Sequence, residues 1–70
     1  MSDGHLVRMA NQIAANVPDQ QRAAEQTAAH LRTFWAPVMI DDLARIVGQQ
    51  PDLVTPAVRE ALAVLTPRRP

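Results

Sequence analysis

Two histidines, seven carboxylates and a single serine are the side chains in this 70-residue sequence that could take part in metal, acid–base or nucleophilic chemistry, and there is no cysteine. His5 is followed at i+3 and i+4 by Arg8 and Met9, and His30 by Thr33 and Phe34, so neither has a second ligand one helical turn away. A metal site would need His5, His30 and a carboxylate to converge from distant parts of the chain. Asp41 and Asp42 are adjacent, but neighbours on a helix point about 100° apart and cannot act as a carboxylate pair. Ser2 has no base beside it, and Gly4 and Gly48 stand alone, so neither a nucleophile dyad nor a phosphate-cradling loop is present. Without cysteine there is no thiolate nucleophile, disulfide or thiolate metal site. The inventory predicts a chain that is not an enzyme, with no catalytic residue, cofactor or metal site of its own.

Binding remains, and charge narrows it. The seven basic residues, all arginine, balance seven acidic ones. Nucleic-acid binding rests on a basic patch that engages phosphates, and only Arg68 and Arg69, in a C-terminal "PRRP" expected to fray, are adjacent basic residues. A small DNA-binding or antitoxin-like regulator is the alternative reading, and neutral charge counts against it. No apolar run approaches the ~18 residues of a membrane span, and "MSDGHLVRMANQ" lacks the charged-then-apolar architecture of a secretion signal. The expected location is the cytoplasm. A single domain of this length has a core that rarely supplies more than ~3–5 kcal/mol, which favours support from a partner.

The elements that must position these residues are helices. Alanine is abundant, glycine is scarce, and valine nowhere alternates with polar residues. Apolar positions at i, i+3, i+4 and i+7, punctuated by prolines, predict helices at about 3–17, 18–35, 37–47 and 56–65 within one domain spanning 1–70. Ser2 or Asp3 is expected to cap the first helix, Pro18 to open the second, Pro37 the third, and Thr55–Pro56 the fourth. Gly48 is expected to close the third and Pro67 the fourth. The fold class is all-α: a small bundle of three to four short antiparallel amphipathic helices.

On these helices Trp35, Leu31, Met39 and Ile13 fall on inward stripes and are the expected core anchors. Phe34 lies at the edge of its stripe, Arg32 on the opposite flank, and Val38 and Val64 outside the inward faces. Asn11 and Gln12 on the first helix could offer amide hydrogen bonds. These six residues, Phe34, Arg32, Asn11, Gln12, Val38 and Val64, form the expected partner interface.

Three segments carry more specific wording: "LVRMANQIA" (6–14), "HLRTFWAPVM" (30–39) and "VREALAVL" (58–65). In order and spacing they resemble the delta subunit of the soluble NAD-dependent formate dehydrogenases. The matching motif residues are Met9, Ala10, Asn11, Gln12, Ile13 and Ala14, then Phe34, Trp35, Pro37 and Met39. The chain departs from the family pattern at Ala15 and Asn16, where bulky aromatics are more usual, and at Ile40 and Asp41, where a basic residue is. The resemblance implies a non-catalytic accessory subunit supporting assembly, stability or maturation of a molybdenum- or tungsten-dependent, NAD-linked formate dehydrogenase. The implied partners are the larger subunits, above all the molybdopterin-containing catalytic subunit. Pairing of the isolated chain with a second copy stays open.

Overall fold

Proline opens α3 and α4 and follows the end of α3. The computed structural model describes residues 3–65; the expected Ser2 cap, the Pro67 stop and the "PRRP" tail lie outside them. Four α-helices are found there: α1 (Asp3–Ala15), α2 (Ala23–Phe34), α3 (Pro37–Gln49) and α4 (Pro56–Leu65). Two single 3₁₀ turns, Gln20–Arg22 and Pro51–Leu53, precede α2 and α4. The fold is a small all-α bundle, and no helix among the described residues is long and apolar enough to cross a membrane.

The α1–α2 junction differs from the expected direct passage at Pro18. α1 ends at Ala15, and Gln20 folds its side-chain amide back to donate to the carbonyls of Ala14 (3.1 Å) and Val17 (2.6 Å). The Ala14 carbonyl also accepts from the Val17 N–H at 3.4 Å, so the chain end of α1 is tied down twice. Asp19 is extended, and its carboxylate accepts from the Gln21 N–H at 3.1 Å. Asp19 therefore caps a 3₁₀ turn, and α2 proper starts only at Ala23.

The α2–α3 junction is a corner. Trp35 and Ala36 both have extended backbones, and the Trp35 N–H still donates to Leu31 O at 2.9 Å, closing α2. Pro37 then opens α3 at its first position, as its fixed φ and missing donor favour. Gly48 does not close α3. No glycine among the described residues has positive φ, the helix continues through Gln49, and the stop comes from Pro51. The third junction carries the expected cap: Thr55 Oγ1 accepts from the Val58 N–H at 3.4 Å, ahead of Pro56.

The corner directs packing. α2 has its most extensive contact with α4 rather than with α3, its successor, while α1 lies against α2, α3 and α4. Leu6, Leu31, Leu43 and Val58 are fully enclosed at the centre, each contributing roughly 1.5–3 kcal/mol by leaving water. Ala10 and Ala14 on α1 and Ala23, Ala28 and Ala61 on α2 and α4 are buried too, and their small size keeps the helices close. Thr27 is fully buried too, and its hydroxyl has no hydrogen-bond partner, a cost of roughly 1–3 kcal/mol.

The connector before α4 is held by a polar clamp. Asn11 on α1 donates from Nδ2 to Leu53 O and accepts on Oδ1 from the Thr55 N–H, both at 3.0 Å. Arg59 on α4 donates to Pro51 O (2.7 Å) and Val54 O (2.8 Å). Val54, between these contacts, is buried. On the surface of α3 Asp42 pairs with Arg45, one turn later, at 3.5 Å.

Because Gly48 is helical and a Cβ there would meet nothing within 4 Å, Gly48→Ala should stabilise the fold by roughly 0.5–1 kcal/mol. A higher melting temperature in a thermal melt is the expected result; a lower one would restore the left-handed cap.

Candidate partner-binding site

The corner at Trp35 also shapes a surface. The second half of α1, the last turns of α2 and the start of α3 leave between them an open trough in two connected parts of about 460 and 530 Å³, which share Ile13, Asn16 and His30. One part runs along the α1–α2 seam past Val17, Pro18, Gln26, Ala29 and Thr33. The other is walled by Met9, Gln12, Phe34, Trp35 and Met39.

Its most exposed apolar member is Phe34, which ends α2 with 72% of its surface accessible. The His30 ring, one helical turn earlier, lies against it with centroids 4.7 Å apart and planes tilted by 43°. Trp35 is only 7% exposed: its ring belongs to the core and lends an edge to the trough. Ile13 and Met39, expected as core anchors, are half-buried, packed on the core and also lining the trough. Leu31 is fully enclosed. Met9 is half-buried as well, so two flexible thioethers line a surface that can adapt to what it meets.

The six expected interface residues divide among four settings. Phe34 and Gln12 line the trough. Arg32 and Val64 lie on another groove, between α2 and α4. Val38 is exposed on the first turn of α3 and lines neither. Asn11 lines neither and bonds within the chain, through its amide to Leu53 and Thr55.

His30 and Asn16 were not among the expected site residues. The His30–Phe34 separation of four, which puts two rings on one helix face, is the signal that finds His30. Asn16 enters through the α1–α2 packing, which has no local signature.

The trough is electrically plain. Among the described residues no carboxylate, arginine or lysine lines it, and His30 supplies an imidazole. The ion pair that shifts protonation is elsewhere: Arg22 and Glu25 meet at 2.7 Å on an exposed surface, and hydrogen bonding, then charge, holds the Glu25 carboxyl below its usual range. Among the described residues no group of three or more histidine, cysteine or acidic side chains could hold a metal ion. The arrangement suits docking of an apolar, uncharged surface, with Gln12, Asn16 and Gln26 able to hydrogen-bond at the rim.

Fold and surface together define a small all-α protein with an apolar trough built from three helices. The family model of the NADH-dependent formate dehydrogenase delta subunit, FdsD, matches residues 5–62, and the chain belongs to that family. Neither a curated protein nor a solved structure matches it.

The two aromatics make a divergent pair of predictions. Trp35→Ala should cost about 3–5 kcal/mol of stability, while Phe34→Ala should stay within roughly 0.5 kcal/mol. Denaturant melts of the two variants check this; equal losses would contradict the division into core and surface.

Proposed function

We propose that this chain is a non-catalytic accessory subunit of a molybdenum- or tungsten-dependent, NAD-linked formate dehydrogenase, working in the cytoplasm. Its role is to support assembly, stability or maturation of that complex. It contacts the larger subunits, foremost the molybdopterin-containing catalytic subunit, through the trough centred on Phe34.

One observation carries this reading. The segments with the family's wording, "MANQIA" and "FW.P.M", are separate in sequence, yet Met9, Gln12 and Ile13 from the first and Phe34, Trp35 and Met39 from the second line one surface. A chain that only needed to fold would have no use for a 72%-exposed phenylalanine between two half-buried methionines. The remaining motif residues serve the interior: Ala10 and Ala14 are buried, Asn11 clamps the connector and Pro37 starts α3.

Co-expression of the larger formate dehydrogenase subunits with and without this chain tests the proposal. Omitting it should lower the yield of assembled, molybdopterin-loaded complex and the formate-dependent reduction of NAD, and Phe34→Ala should reproduce much of that loss. Full assembly and activity without the chain would refute the role.

A further inference from the structure

A second surface, between α2 and α4, is built on a different plan. Its groove, about 810 Å³, has a floor of Ala24, Ala28 and Ala63, with Val64 on α4 56% exposed at its margin. Arg32 projects from α2 and Glu60 from α4, and both exposed side chains line this groove. Neither forms an ion pair or side-chain hydrogen bond with another described residue.

Glu25 of α2 also lines the groove, but Arg22 already pairs with it at 2.7 Å; the charges left are a cation on one helix and an anion on the other, flanking an apolar seam, a pattern that is its own complement. Under a two-fold axis along the seam, α2 of one copy faces α4 of the other, so Arg32 of each copy approaches Glu60 of the other. We propose that this face pairs with the same face of a second copy of the chain. Val64 of each copy enters the alanine floor opposite, small side chains let the helices approach closely, and two symmetry-related Arg32–Glu60 pairs set the register. A different protein would need the reversed charge pattern across a matching ridge; a second copy carries it by construction. The groove shares Ala29 with the trough but none of Met9, Gln12, Phe34 or Met39, and the pairing does not rest on the formate dehydrogenase reading.

Sedimentation equilibrium and native mass spectrometry of the full chain test this across concentration and salt. The expected result is a monomer–dimer equilibrium weakened by salt. Arg32→Glu and Glu60→Arg, each creating two like-charge contacts per dimer, should each raise the dimer dissociation constant about tenfold or more. The double variant Arg32→Glu/Glu60→Arg should recover most of the loss, and circular dichroism confirms that the variants are folded. A chain that stays monomeric up to millimolar concentration, or a dimer indifferent to both single reversals, would overturn the proposal. So would single reversals that weaken capture by the purified larger formate dehydrogenase subunits while leaving self-association unchanged.

Discussion

Everything in this small bundle turns on the corner at Trp35. The residue leaves α2 with an extended backbone, yet its N–H still satisfies the Leu31 carbonyl, so the helix closes without a glycine. The chain then swings through Ala36 into Pro37, and α3 departs from α2 instead of folding along it. The indole fills the space this opens, against a core otherwise made from Leu, Val, Ile and Ala. The change of direction also brings Met39 beside the end of α2, which forms the trough. One residue thus closes a helix, fills the core and shapes the wall of the candidate binding surface.

Polar groups supply what a core of this size cannot. The connector into α4 has few apolar anchors of its own besides buried Val54, and it is fastened by the Asn11 amide from one side and the Arg59 guanidinium from the other. Four such bonds, at about 0.5–1.5 kcal/mol each, are comparable to the few kcal/mol available to a domain of this length. Gln20 does similar work at the end of α1. With no cysteine to form a disulfide staple, amide and guanidinium caps to backbone carbonyls take that part.

Helix number, type and order were legible in the sequence because each rests on local rules: apolar periodicity, and proline or threonine where a helix opens. Gly48 misled because glycine is only permitted, not obliged, to adopt the left-handed conformation, and here Pro51 sets the stop. Pro18 misled because a competing local bond, from the Gln21 N–H to the Asp19 carboxylate, favours a 3₁₀ turn. The candidate surface was legible in part. Phe34 and Gln12 could be read from helix faces, and His30 from its spacing to Phe34. The role of Asn11 could not, since its partners lie 42 and 44 residues away and exist only once α1 packs on the connector.

The two surfaces flanking α2 differ in what they could recognise. The trough is apolar, uncharged and lined by adaptable side chains, whereas the α2–α4 groove is small-residue, shallow in chemistry and marked by opposite charges. Assigning the first to the formate dehydrogenase partner is the central claim. Hydroxyl-radical footprinting of the isolated chain and of the chain within the assembled complex tests it most directly, since Met9, Phe34 and Met39 are readily oxidised side chains that line the trough. Strong loss of labelling at all three on assembly is the result predicted; labelling at Phe34 unchanged between the free and assembled states would contradict it.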